Sequence, residues 1–341
     1  MARPSLKYNL RLTPSPPDAR DHIIRATAPV KTKEAIDLSS YCTVVKDQGV
    51  LGSCTAFAAV AAMEYLQRRY NENKSEDIYS ERFTYYATRV NVLKWEPEDS
   101  GAYVRDAVKS LVKYGCCMEK TCPYTNDCKT APSPKAYQEA EKYQALSYAR
   151  FEDGASPDER RQLIQLLKAN LASGMPIIAG FICYSNIWNA VRGVIPAKNG
   201  TIIGGHAILI VGYNDATGLF KFKNSWGRGW GDRGYGYLPY DYYISGDMFD
   251  LWSIRTSENT NAEVIGIGVS SGSAAASSTI TTAEAIAGST DILTTILGDL
   301  DNILSKDKKS TASLALIAKY KSNTQFVALI DAISTALGKL K

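Results

Sequence analysis

The hydrophobic patterning predicts an α+β fold, with a helical half followed by a strand-rich half and a cleft between them. First, residues 54–70, 79–93, 102–114 and 134–145 read as helices, and helix 157–173 leads into the second half. Second, apolar or alternating runs near 176–183, 206–213, 219–224 and 235–238 read as strands. Third, residues 283–341 carry two amphipathic helical stripes and form a C-terminal helical extension.

Taken along the chain, residues 1–35 hold Pro4, Pro14, Pro16, Pro17 and Pro29 and are expected to be extended. Within them Tyr8, Leu10 and Leu12 alternate as a strand-like peptide would. The stretch Ala56–Leu66 is Ala-rich, apolar nearly all round and free of Gly and Pro, which suits a buried helix with Ser53 as its N-cap. Ala207–Tyr213 is a near-continuous apolar run interrupted by Gly212, so His206 enters a buried strand from a glycine turn. Leu219–Lys223 alternates apolar and basic residues and ends at Asn224. Residues 257–282 shift to Ser, Thr, Ala and Gly, a linker composition. Beyond it, Ile286, Leu293, Ile296, Leu297, Leu300 and Leu304 share one helical face, with Thr281 or Thr282 as cap. Leu314, Ile317, Leu329, Ile330, Ile333 and Leu337 lie on the second helix, after a turn at Asp307–Ser310. These two helices form either a self-covering hairpin or a module for docking or self-association.

Two short stretches carry chemistry. The first runs from Gln48 through Gly49, Gly52 and Ser53 to Cys54. The second is Gly205-His206-Ala207, followed by Asn224-Ser225-Trp226-Gly227. Amide hydrolysis needs a nucleophile, a base to activate it, an orienter for the base and donors for the oxyanion. Cys54 on the first turn of its helix is the candidate nucleophile, because the helix dipole favours a thiolate there. The chain has two histidines, and His22 lies in the basic N-terminal arm, so His206 is the candidate base. This ordered set resembles the papain-like (C1) cysteine peptidases. His206 follows Cys54 by 152 residues and Asn224 by 170, close to the family's offsets of about 130–150.

The resemblance covers residues 36–256 and implies a papain-like fold and a cysteine endopeptidase acting through a Cys54–His206 thiolate–imidazolium pair. It implies that Asn224 orients the imidazole, that Trp226 shields that bond, and that Gln48 and the Cys54 N–H form the oxyanion hole. It further implies substrate contacts at Ser100 and Gly101, on a glycine-lined wall, and at Gly205 and Trp226. Tyr79-Ser80-Glu81-Arg82 resembles the start of the family's second helix, and Cys122-Pro123-Tyr124 its Tyr-Pro-Tyr turn. Leu51 stands where the family usually has a disulfide cysteine, so that bridge cannot form, and Thr55 replaces the aromatic residue after the nucleophile. Residues 1–35 are expected to be a short pro-segment in or near the cleft, with a surface strap as the alternative. Dipeptide-releasing relatives use histidines on an occluding loop, which this chain does not supply, so endopeptidase action is favoured. A silent binding protein on the same scaffold and an acyl transferase using the same thioester remain alternatives.

The net charge of +4 is concentrated in residues 1–35, where seven Lys/Arg face three Asp/Glu. A short basic arm is not a nucleic-acid footprint, and no run of about 18 apolar residues suggests a membrane span. The start of the chain has no apolar signal-peptide region. That suits an intracellular or non-classically released protein, as bacterial and large-virus relatives would be. Cys42, Cys116, Cys117, Cys122, Cys128 and Cys183 remain besides Cys54. Those between 116 and 128 read as one or two local disulfides or as reduced thiols, and less readily as a metal site, since no histidine is near. No cofactor or metal is expected, and the implied partner is a protein or peptide substrate.

Overall fold

The computed structural model describes residues 8–26, 32–70, 78–255 and 267–270. The helices expected over 283–341 lie outside the described residues, as does most of the expected linker.

The helical half begins with α1 (Cys54–Tyr70), buried from Cys54 through Gln67. Its many alanines let neighbours approach from every side, which places α1 as the central post of the domain and packs it on β5 (Ile202–Asn214). The one charged residue inside this buried stretch, Glu64, requires compensation. Lys46 Nζ sits 2.8 Å from one Glu64 oxygen and 2.6 Å from Glu81, and Lys223 lies 3.9 Å from the other Glu64 oxygen. Thr43 donates to Glu64, and the Tyr79 N–H donates to it at 3.0 Å. Two lysines and two glutamates thus neutralise one another beneath the helix, the condition under which buried charge is tolerated.

Helix α2 (Glu81–Tyr86) is capped by Ser80, whose Oγ accepts from the Phe83 N–H at 3.0 Å. It continues into a π-helical turn over Ala87–Val92, so the helix expected over 79–93 is real but wider in its second half. Helix α3 (Val104–Lys113) and α4 (Pro134–Ala140) complete this half, and α4 is shorter than expected. Ser133 caps α4 and Pro134 occupies its first position.

The strand-rich half is one mixed sheet. Its strands are β1 (Ile23–Ala26), β3 (Ser147–Phe151), β4 (Ile177–Tyr184), β5, β6 (Leu219–Lys223), β7 (Tyr235–Pro239), β8 (Met248–Arg255) and β9 (Ile267–Ser270). Their order is β7-β6-β5-β4-β8-β3-β1-β9, with β2 (Ala35–Asp37) on the side of β5. Helix α5 (Pro157–Ala172) is capped by Ser156 and packs against β4 and β5, and the short α6 (Tyr240–Ile244) links β7 to β8. Strand β5 begins four residues before His206, earlier than the apolar run suggests, because Gly204 and Gly205 pair with Cys183 and Ile182 of β4. The sequence reading missed β1, β2, β3 and β8, whose short or mixed patterns are satisfied only by cross-strand partners. Within the expected linker, Ile267–Ser270 forms β9, antiparallel to β1.

Candidate active site

Cys54 opens α1, where the Ser53 carbonyl accepts the first helical bonds from Ala56 and Phe57 at 2.9 and 3.1 Å. The expected hydroxyl cap is absent. Ser53 Oγ instead bonds the Tyr124 hydroxyl at 2.6 Å, and that hydroxyl donates to Gln48 O at 2.8 Å. Tyr124 therefore ties the turn before the nucleophile to the Gln48 loop, a role the sequence did not announce. The backbone N–H groups of Ala207, which follows His206 in β5, and of Thr55 and Cys54 itself favour the thiolate of Cys54.

His206 Nε2 lies 2.7 Å from Asn224 Oδ1, both side chains buried, and its Nδ1 has no hydrogen-bond partner. Asn224 follows β6, and its Oδ1 also accepts the Ser225 N–H at 2.9 Å, which pins the amide oxygen toward the ring. Trp226 lies on the imidazole with centroids 4.5 Å apart and rings 27° from parallel, excluding water from the His206–Asn224 bond. Gln48 joins the two halves: its N–H donates to Ser225 O at 2.8 Å, its Oε1 accepts Ser225 Oγ–H at 2.6 Å, and its Nε2 donates to Leu51 O at 2.9 Å. Leu51 O holds only one of the two Nε2 hydrogens. The structure thus brings together Gln48, Cys54, His206, Asn224 and Trp226 from both halves.

The cleft is covered. Arg11 bridges Gly205, and the Leu12 N–H donates to Gly205 O at 3.2 Å. The approach is so close that a Cβ on Gly205 would stand 2.3 Å from Leu12 O, and one on Gly101 2.6 Å from Arg11 O. Gly101 also has φ +78°, so glycine is required there on two counts. Across the segment, Tyr8 stacks on Trp226 at 5.1 Å and donates its hydroxyl to Trp226 O at 3.0 Å. Leu10 and Leu12 are buried, with Leu12 directed at Gly180 and Phe249. Asn9 donates to Asp99 Oδ2 at 2.9 Å and Arg11 to Asp99 O at 2.5 Å. The Asp99 Oδ1 atom accepts from Gly52 N and the Tyr85 hydroxyl at 2.9 and 2.7 Å. Of the residues expected on this wall, Gly101, Gly205 and Trp226 meet the segment. The Ser100 side chain instead accepts from Arg89 Nη2 at 2.9 Å, because Arg89 is buried and needs acceptors.

Burial sets the electrostatics of the pair. Burial pushes the Cys54 thiol up to about 11, against the pull of its three N–H donors. Burial likewise pushes His206 down to about 4, partly offset by Asn224. Burial of both side chains therefore opposes the ion pair that the resemblance implied. Among the described residues no group of three or more His, Cys, Asp or Glu is arranged to hold a metal, and no helix is long and apolar enough to cross a membrane.

A two-lobed fold with a cysteine at a helix start, a histidine entering the facing sheet and an asparagine holding its ring defines a class of thiol hydrolase. Residues 32–246 match the papain family of cysteine proteases, and the chain belongs to that family. It is 32% identical over 278 residues to an uncharacterized peptidase C1-like protein of Acanthamoeba polyphaga mimivirus, spanning 74% of this chain and 88% of that one. A cathepsin B-like protein of Giardia intestinalis is 28% identical over 56% of this chain and 62% of its own length. Among solved structures, xylellain, a cysteine protease from Xylella fastidiosa, superposes with a TM-score of 0.63 at 33% identity, covering 75% of this chain and 99% of that one. The fold is thus papain-like, and the protein is a papain-family cysteine protease.

Proposed function

We propose that the chain is a cysteine endopeptidase made in a self-covered form, with residues 8–12 lying in its cleft. When they leave, water and substrate enter, and the cost that burial imposes on charge falls. The Cys54 proton then passes to His206 Nδ1, giving thiolate and imidazolium. The thiolate attacks the substrate carbonyl, and Gln48 Nε2 and the Cys54 N–H hold the developing oxyanion. His206 returns its proton to the leaving amine as the C–N bond breaks, leaving a Cys54 thioester. A water gives a proton to His206, attacks the thioester and releases the acid and the thiol.

The observation that carries this reading is the 2.7 Å His206 Nε2–Asn224 Oδ1 bond, which leaves Nδ1 as the ring nitrogen without a partner. The buried site of Leu12 against Gly180 and Phe249 supports an apolar side chain as the preferred substrate group. His22 supports endopeptidase action by its location, since it lines a separate cavity with Ile24, Tyr148 and Arg255.

The test is covalent labelling by a vinyl-sulfone papain-type inhibitor, read by intact mass, on the full chain, on Leu12→Asp and on Cys54→Ala in both. One adduct, faster in Leu12→Asp and absent from both Cys54→Ala proteins, is the expected result. No adduct on any folded, reduced protein would overturn the peptidase mechanism. Equal labelling of the full chain and Leu12→Asp would overturn the covering role alone.

A further inference from the structure

All seven cysteines are thiols in this structure, including the cluster for which local disulfides were one expectation. Two of them share a single closed turn. The N–H groups of Thr121 and Cys122 both donate to Met118 O, at 3.0 and 3.3 Å. Ser80 clamps both ends of that turn: its N–H donates to Cys117 O at 2.9 Å and its hydroxyl to Cys122 O at 2.5 Å. The clamp holds both cysteines in one small buried cluster with Phe83, Ala87, Ala136 and Ala140.

Arg82 completes the arrangement. Its Nη1 donates to Cys122 Sγ at 3.1 Å, while its Nε donates to Asp127 O at 2.8 Å and its Nη2 to Thr130 O at 2.9 Å. The two carbonyls, with the Asp127 carboxylate 3.4 Å from Nη2, fix the guanidinium so that Nη1 is aimed at sulfur. A bland reading makes Arg82 a staple for the loop at 127–130, but those bonds leave Nη1 to spare. A cation and a thiol donor converging on one sulfur favour its thiolate. The Cys122 thiol is accordingly drawn down to about 6, first by Cys117 and then by Ser80 and Arg82, against its burial. The same contact pushes Cys117 up.

We propose that Cys117 and Cys122 form a peroxide-reactive dithiol, with Cys122 the attacking thiolate, Arg82 its charge partner and Cys117 the resolving thiol. The Cys122 thiolate attacks one oxygen of hydrogen peroxide; the S–O bond forms, the O–O bond breaks, and the departing hydroxide takes a proton to become water. Cys117, losing its proton, attacks the Cys122 sulfenic sulfur. The S–S bond forms, the S–O bond breaks, and the hydroxide leaves with that proton as a second water. Two thiols lose two electrons in all, and one peroxide becomes two waters. The disulfide closes a loop that ends two residues before Tyr124, whose hydroxyl holds Ser53 and Gln48. Oxidation therefore stiffens a turn that supports the cleft.

The experiment uses the full chain and its Cys54→Ala variant, each given one equivalent of hydrogen peroxide at pH 7. Remaining thiols are alkylated in denaturant and the peptides mapped by mass. The expected result in both proteins is loss of two thiols and a Cys117–Cys122 linked peptide that dithiothreitol reverses. Cys117→Ser should leave a sulfenic acid on Cys122, trapped by dimedone. Arg82→Gln should move the midpoint of the pH–rate profile upward, since it removes the cation 3.1 Å from the sulfur. Retention of all seven thiols, linkage of either cysteine to Cys116 or Cys128, or an unchanged Arg82→Gln profile would each overturn the proposal. The first two are read on proteins with the turn unaltered, so a folding failure in a variant does not shelter the idea.

Discussion

Replacing Leu12 by Ala should loosen the cover without touching the catalytic groups. Leu12 is 4% exposed, and its Cδ2 is directed at Gly180 and Phe249. Burying a leucine side chain contributes about 1.5–3 kcal/mol, and truncation loses most of it. Taking about 2 kcal/mol, with a factor of ten for each 1.4 kcal/mol, the open fraction should rise about 30-fold. Local release of residues 8–12 leaves the Ser15–Asp250 bond and β1 in place, so the fold need not be disturbed. The measurement is the pseudo-first-order rate of vinyl-sulfone labelling of Cys54 at pH 6.5, with circular dichroism to confirm the fold. Where opening precedes labelling as a rapid equilibrium, the rate follows the open fraction, and a rise of about one to one and a half orders of magnitude is expected. A rate within twofold of the parent, in a folded protein, would refute the argument that Leu12 holds the cleft shut.

Three further outcomes follow from the site. Asn224→Ala frees the His206 ring from its 2.7 Å anchor, and in a Leu12→Ala background kcat should fall by about 10–100-fold with little change in KM, checked by steady-state peptide hydrolysis. Glu64→Gln leaves Lys46 and Lys223 without their shared counter-charge; a loss of about 3–5 kcal/mol is expected, read as a Tm lowered by roughly 10 °C. In the pH dependence, His206 is held down to about 4 in the covered protein, so the unfolded or opened chain binds the extra proton first and stability falls as pH drops from about 6.5 toward 4. Cys54 is held up to about 11, so stability also falls as pH rises above about 9. The Tm of the full chain should therefore peak between those limits, and His206→Asn should flatten the acid slope; an unaltered acid slope would assign it to other groups.

The helical half was legible because its signals are local. α1 shows as an Ala-rich, largely apolar run free of Gly and Pro from Ala56 to Leu66, and α5 carries its own Ser156 cap and Pro157 start. The strongest strands, β4 and β5, were equally plain, being apolar on both faces. Ser100 shows the limit of a motif. Its position beside Gly101 was readable, but the buried Arg89 that occupies its hydroxyl lies on another element. Tyr124 and Asp99 gave no signal of their own, since a tyrosine and an aspartate in loops are common. Only their convergence on Ser53, Gln48, Gly52 and Arg11 gives them roles.

By itself the sequence determined the family, the α+β class and the chemical identities of Cys54, His206, Asn224 and Gln48, because these sit in short motifs whose residue types and spacing are constrained by the reaction. It also marked Tyr8, Leu10 and Leu12 as an alternating segment suited to a groove. Only the tertiary structure decided that the segment runs against Gly101 and Gly205 and how deeply Cys54 and His206 are buried. Burial depends on residues far apart in the chain, and a protonation state depends on burial. Neither can be read from a motif, however well its letters match.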